Sequence, residues 1–103
     1  MIPQQGEIWW GEGRGNRRPV LVVTRSEVIP LLTKITVAPI TRTVRGIPTE
    51  IALDERDGVR EPSVASFDNL VLAPVTSLTA KIGGATPARQ AQICRALAAL
   101  ADC

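Results

Sequence analysis

Short apolar runs, each closed by glycine, proline or charge, follow one another along most of this chain. Glu7-Ile8-Trp9-Trp10 is aromatic and ends at glycine, which predicts a strand. Pro19-Val20-Leu21-Val22-Val23-Thr24 is apolar and β-branched, which predicts a buried strand. Residues 26–32 have room for a turn of helix, interrupted by Pro30. Ile35-Thr36-Val37-Ala38-Pro39-Ile40 alternates as a strand does, and Pro39 falls near its end, where a missing N–H is tolerated. Thr49-Glu50-Ile51-Ala52-Leu53 alternates with period two, the pattern of a half-buried strand. Asp54-Glu55-Arg56-Asp57-Gly58 reads as a turn, residues 63–71 as a further strand, and Lys81-Ile82-Gly83-Gly84 as a short last one.

The period changes near the C-terminus. Thr86-Pro87 offers a hydroxyl N-cap followed by proline at the first helical position. From there to Ala101 the chain is alanine-rich. Ile93, Leu97 and Leu100 fall on one stripe, with Arg89, Gln92 and Arg95 as a polar row beside it and Cys94 packed against it. The expected architecture is five or six short antiparallel strands and then one helix that caps the sheet. Their spacing suits a small barrel or strongly curved sheet rather than βαβ units. No repeat or linker divides the chain, so residues 1–103 read as a single domain.

Charge changes the picture more than composition does. The net charge is only +2. Residues 1–45 hold seven Lys/Arg against three Asp/Glu, whereas residues 46–103 hold five against seven. The positive charge is therefore local, which fits an anionic ligand. It concentrates in Gly11-Glu12-Gly13-Arg14-Gly15-Asn16-Arg17-Arg18-Pro19, read as a flexible cationic loop, and in a second basic loop over 41–48. Arginine grips phosphate with a planar fork of donors. The chain has no histidine, so in phosphate chemistry arginine must carry what histidine usually does. Cys94 and Cys103 make no disulfide framework and have no partners for zinc. No apolar run approaches transmembrane length, and Met1-Ile2-Pro3-Gln4-Gln5 lacks the features of a signal peptide. A cytoplasmic protein without metal, cofactor or membrane association is the expectation.

Taken in order, Gly6-Glu7-Ile8-Trp9-Trp10, the Gly-rich loop, Arg18-Pro19-Val20-Leu21-Val22-Val23, Val37-Ala38-Pro39-Ile40-Thr41 and the terminal helix resemble the MazF/PemK family of toxin endoribonucleases. The resemblance spans nearly the whole chain. It implies a mainly β fold, a small SH3-like antiparallel β-barrel of the CcdB/PemK/MazF type with a C-terminal α-helix. It also implies a homodimer, metal-independent cleavage of single-stranded RNA at short sequence motifs, and a cognate antitoxin whose acidic C-terminal segment occupies the RNA groove.

Three positions inherit the family's reaction residues: Arg18 from Arg-Pro-Val, Thr41 from the end of the following strand, and Asp68 from the acid–amide pair Asp68-Asn69. Ser66 stands where some members carry a second arginine. Cleavage without metal uses the neighbouring 2′-OH as nucleophile and leaves a 2′,3′-cyclic phosphate and a 5′-OH. Arg18 suits stabilisation of the phosphorane charge, Thr41 donates to a phosphate oxygen, and Asp68 is the base candidate. Arg14, Arg17, Arg42 and Arg45 are expected on flanking phosphates, and Ser63, Ser66 and Asn69 on base edges. Trp9 and Trp10 face opposite sides of a strand, so one belongs to the core while the other, Trp10, is offered for stacking. Two rival functions use the same features. One is a CcdB-like gyrase poison, although Leu100-Ala101-Asp102-Cys103 lacks the tryptophan those toxins carry near their end. The other is a non-enzymatic SH3-like RNA-binding module.

Overall fold

The computed structural model describes residues 2–13 and 15–101. Seven strands form one antiparallel sheet: β1 (Ile8–Gly13), β2 (Asn16–Val22), β3 (Lys34–Thr41), β4 (Glu50–Leu53), β5 (Ser63–Ser66), β6 (Val71–Pro74) and β7 (Leu78–Gly83). One helix, α1 (Arg89–Ala101), follows. The hydrogen-bonded order is β4-β5-β3-β2-β1-β7, with β6 also on β3. The mainly β architecture with a terminal helix is as expected, but the sheet is not closed: β4 and β7 are its two ends, and no ladder joins them among the described residues.

Two apolar clusters explain why the run from Pro19 to Val23 reads as continuously hydrophobic. Leu21 and Val23 face one cluster, with Ile8, Ala38, Ile51, Phe67, Ile93 and Ala96. Val20 and Val22 face the other, with Trp9, Ile29, Ile35, Val37 and Leu78. Alternate side chains of a strand point to opposite faces, so a strand covered on both sides needs apolar residues throughout. Trp9 is core, while Trp10 is only half-buried. Helix α1 covers the first cluster with Ile93, Ala96 and Leu97.

Several elements differ from the sequence reading. The Gly-rich segment is not a flexible loop. Gly11, Glu12, Gly13, Asn16, Arg17 and Arg18 are ladder positions of a β1–β2 hairpin, with Gly11 opposite Arg18, Glu12 opposite Arg17 and Gly13 opposite Asn16. Gly15, in the turn, takes a positive φ of 78°, which glycine adopts without strain. Residues 63–71 are not one strand: β5 ends at Ser66, a 3-10 turn spans Phe67–Asn69, and β6 follows. In α1, Leu100 and Cys94 are exposed, and Arg89 is buried instead. The helical stripe therefore runs through Arg89, Ile93 and Ala96 rather than out to Leu100.

That buried arginine has a reason. Arg89 donates from Nη2 to the Asp57 carboxylate and from Nη1 to Gln92 Oε1 at 3.1 Å, which clamps the start of α1 to the β4–β5 connection. Its Nε has no hydrogen-bond partner among the described residues. Gly6 makes room for it: a Cβ there would come within 2.8 Å of Arg89 Cγ. The 3-10 turn Glu55–Asp57 in that connection opens with a capping box, in which the Asp54 side chain accepts the Asp57 N–H and the Asp54 N–H donates to Asp57 Oδ2 at 2.9 Å; the Arg56 N–H also donates to Asp54 Oδ1 at 2.9 Å.

Candidate functional site

The site arises where β3 changes partners. Residues 37–39 of β3 pair with β2, through Val22↔Val37, Leu21↔Ala38 and Val20↔Pro39. The next residues, Ile40 and Thr41, pair instead with β5 on the other edge. β2 runs on toward Asn16 with β1 as its remaining partner. Pro19 and Pro39 stand where the β2–β3 ladder stops, and neither has a backbone N–H to offer another rung. Continued by two residues, the β2–β3 register sets Arg18 across from Thr41. The sheet is open at that point, and the opening is a cleft of about 890 Å³.

Four segments line it. The β1–β2 hairpin supplies Trp10, Arg17, Arg18 and Pro19, and the end of β3 supplies Ile40, Thr41 and Arg42. The β4–β5 connection, with the first residue of β5, supplies Gly58, Val59, Arg60, Glu61 and Ser63, and β7 supplies Ala80, Lys81 and Ile82. The cationic side chains are held in different ways. The Arg17 guanidinium lies over Trp10, 4.6 Å from the ring centroid. Arg42 Nη1 is 2.9 Å from Glu61 Oε2. Lys81 Nζ is 3.0 Å from Glu7 Oε2, an anchor behind the lining. Arg17, Arg18 and Arg60 have no ion pair among the described residues. The Thr41 hydroxyl oxygen accepts the Thr43 N–H at 3.1 Å, which orients it and leaves its proton to donate. Arg18 also borders a smaller hollow beside Gly11, Val37, Val71 and Leu78.

Glu7 holds this wall together. Burial pushes its carboxyl pKa up, but hydrogen bonds from Trp9, Lys81 and the Gln4 N–H, with the Lys81 charge, outweigh burial and leave it below the ordinary value. Its Oε1 accepts from Gln4 N at 2.7 Å and from Trp9 Nε1 at 3.1 Å.

Of the residues singled out from sequence, the cleft brings together Arg18, Thr41, Arg17, Arg42, Ser63 and Trp10. It does not bring in Asp68, Ser66, Asn69 or Arg45. Asp68 and Asn69 lie on the 3-10 turn after β5, not within a strand. Asp68 Oδ2 accepts the Thr49 hydroxyl at 2.6 Å, and Asn69 Nδ2 donates to the buried Ser66 Oγ at 2.9 Å. Ser63 is buried and donates to the Glu61 carbonyl at 2.9 Å, so its hydroxyl is engaged in shaping the wall. Arg45 sits in the 42–48 loop, whose Arg45 and Gly46 N–H groups donate to Glu50 Oε1. Arg14 lies outside the described residues, as does Cys103. Arg60, Glu61 and Lys81 escaped the sequence reading. The turn at 54–58 was legible, but the direction in which it aims the next residues depends on its clamp to α1.

An antiparallel sheet capped by one helix, with a cleft walled by arginines on three segments, defines a small β domain with a cationic cleft. The chain belongs to the PemK-like, MazF-like toxin family of type II toxin–antitoxin systems, whose pattern it matches over residues 4–101. It is 53% identical over 66 residues to Endoribonuclease MazF3 of Mycobacterium tuberculosis, a match that covers 64% of this chain and 64% of that relative's length. Its fold superimposes on the Mycobacterium tuberculosis toxin MazF-mt6 with a TM-score of 0.82 at 40% identity, covering 91% of this chain and 95% of that one. An endoribonuclease from a mycobacterial species, solved in complex with its cognate antitoxin, superimposes with a TM-score of 0.81 at 27% identity, covering 95% and 94%. These relatives favour the endoribonuclease reading over the gyrase poison and the passive binding module.

Proposed function

We propose that this chain is the toxin of a type II toxin–antitoxin pair, an endoribonuclease that cuts single-stranded RNA at a short sequence motif with no metal. The observation that carries this reading is that Arg18 and Thr41, from two different strands, line one cleft rich in arginine. The 2′-oxygen attacks the adjacent phosphorus. The P–O2′ bond forms and the P–O5′ bond breaks. The 2′-hydroxyl gives up its proton, the departing 5′-oxygen gains one, and the products are a 2′,3′-cyclic phosphate and a 5′-OH.

Arg18 stabilises the extra charge on the phosphorane with its donor fork, and a single such donor is typically worth ~10²–10³ in rate. Its place on a paired strand fixes the backbone from which the guanidinium extends. Thr41 donates a second hydrogen bond. Asp68, outside the lining, is assigned to the Thr49 contact rather than to the 2′-OH proton. Arg17, Arg42 and Arg60 bind flanking phosphates, and these contacts position the strand without reading sequence. The indole of Trp10, with Arg17 on one face, offers a stacking platform for a base.

The same cleft is the seat for an acidic segment of the cognate antitoxin, whose carboxylates meet the same guanidinium forks. A homodimer is supported by apolar surface left open on this chain, including Leu31, Val71 and Leu72, of which the last two lie on β6. No described helix is long and apolar enough to cross a membrane. A cytoplasmic site of action follows from the proposed RNA substrate.

Incubation of the purified protein with a long single-stranded RNA in EDTA, with end-group analysis, tests the activity. Discrete fragments ending in 2′,3′-cyclic phosphate and 5′-OH are expected. Intact RNA with folded protein, or 3′-OH ends, would overturn it.

A further inference from the structure

One side chain breaks the charge pattern of the cleft. Glu61 is the only carboxylate among the described residues that line it. Its Oε2 lies 2.9 Å from Arg42 Nη1. Lys81 is also paired, but from behind, by Glu7, which is not part of the lining. Arg42 is thus the cationic residue of this lining whose guanidinium already holds an oxyanion inside the cleft.

The pair is exposed, at 74% for the Arg42 side chain and 59% for Glu61. An exposed ion pair adds little to stability, so exchanging one oxyanion for another costs little. A guanidinium meets carboxylate and phosphate with the same donors. The backbone under Glu61 is fixed, because its carbonyl accepts Ser63 Oγ and the preceding turn is clamped to α1 through Asp57 and Arg89. This keeps the Glu61 carboxylate within reach of the Arg42 guanidinium.

We propose that Glu61 is an internal competitor for the RNA backbone: its carboxylate occupies the phosphate seat of Arg42 and must swing out when RNA enters. This rests on the ribonuclease reading and adds to it a device that weakens the grip on RNA and speeds its release. Like-charge repulsion between the displaced carboxylate and the phosphate keeps that grip weak after binding.

The test compares wild type with Glu61→Gln for binding a short single-stranded 2′-O-methyl oligonucleotide, whose blocked nucleophile prevents cleavage, over a range of salt. For single strands the slope of log affinity against log salt is roughly −0.7 per phosphate neutralised. Glu61→Gln is expected to bind several-fold tighter at low salt, with the slope steeper by about one phosphate's worth, ~0.7. Most of that gain is expected to vanish in Arg42→Gln/Glu61→Gln. Glu27→Gln, the same charge change at an exposed residue outside the lining, is expected to gain less. Unchanged affinity and slope would overturn the proposal, as would a gain that persists without Arg42 or is matched by Glu27→Gln. Loss of cleavage in Glu61→Gln with unchanged binding would instead make Glu61 a reacting group. Wild type is assayed for RNA cleavage alongside: if it cuts RNA while Glu61→Gln changes nothing, only this proposal falls. If it neither binds nor cuts RNA, the reading of the cleft falls with it.

Discussion

The Arg17 guanidinium lies over the Trp10 ring, 4.6 Å from its centroid, and both residues line the cleft that holds Arg18 and Thr41. The two belong to one hairpin, with Trp10 opposite Pro19 and Arg17 opposite Glu12. A cation held against an indole is oriented, and on the proposed reading the pair would offer a π-face to a base and a guanidinium to the phosphate beside it.

Trp10→Ala removes both the platform and the support for Arg17. Stacking on an aromatic residue is worth ~1–3 kcal/mol per base, so RNA affinity is expected to fall by roughly 5- to 150-fold. Fluorescence anisotropy with a labelled single strand reads this. Unchanged affinity would place the RNA path elsewhere. Trp10 is half-buried rather than core, so the variant is expected to remain folded.

Asp57→Ala leaves the Arg89 guanidinium buried without its counter-charge. Breaking a buried pair from one side typically costs ~3–5 kcal/mol. The urea midpoint is expected to drop accordingly. A loss under about 1 kcal/mol, the range of an exposed pair, would mean the contact has no such role.

Glu7 makes stability depend on acidity. Its carboxyl pKa in the folded state lies below the ordinary 4.5. A group held below its unfolded value stabilises the fold above that value and loses its contribution as pH falls through the folded one. The urea midpoint is therefore expected to be flat from neutrality down to about pH 5 and to fall below 4.5, as far as Glu7 contributes. Asp54, held low by hydrogen bonds from Arg56, acts in the same direction. Glu7→Gln is expected to be less stable at pH 7 and less sensitive to acid. An equal acid slope in wild type and Glu7→Gln would contradict this.

Asp68→Ala separates a structural role from a chemical one. Its carboxylate accepts the Thr49 hydroxyl at 2.6 Å and lies outside the cleft lining. A modest stability loss of ~1 kcal/mol is expected, with the cleavage rate nearly unchanged. A rate loss of the size general-base catalysis supplies, ~10²–10⁴, would restore Asp68 as the base.

Much of this was legible in the sequence, and the gaps have physical causes. The run at 19–24 announced a strand with two covered faces, and the Thr86-Pro87 start announced the helix. That Arg18 and Thr41 share one cleft lining was legible to the extent that one motif precedes an apolar strand and the other ends the next. The hairpin at 11–18 was misread as a flexible loop because glycine spacing looks the same in both, and only the ladder with β1 distinguishes them. Arg89 looked like a surface residue because its partner Asp57 is 32 positions away. Arg60 and Lys81 reach the cleft through tertiary placement that no local pattern encodes. Asp68 looked like a strand residue because the run from 63 to 71 hides a 3-10 turn.

The most direct test of the central claim is the single-turnover cleavage rate of Arg18→Ala against wild type, on one single-stranded RNA in EDTA. Arg18 is exposed on β2, so the variant is expected to fold as wild type does, which circular dichroism checks. A rate reduced by at least ~10² is predicted, the size of a lost oxyanion donor. A folded Arg18→Ala that cuts RNA at the wild-type rate would contradict the account.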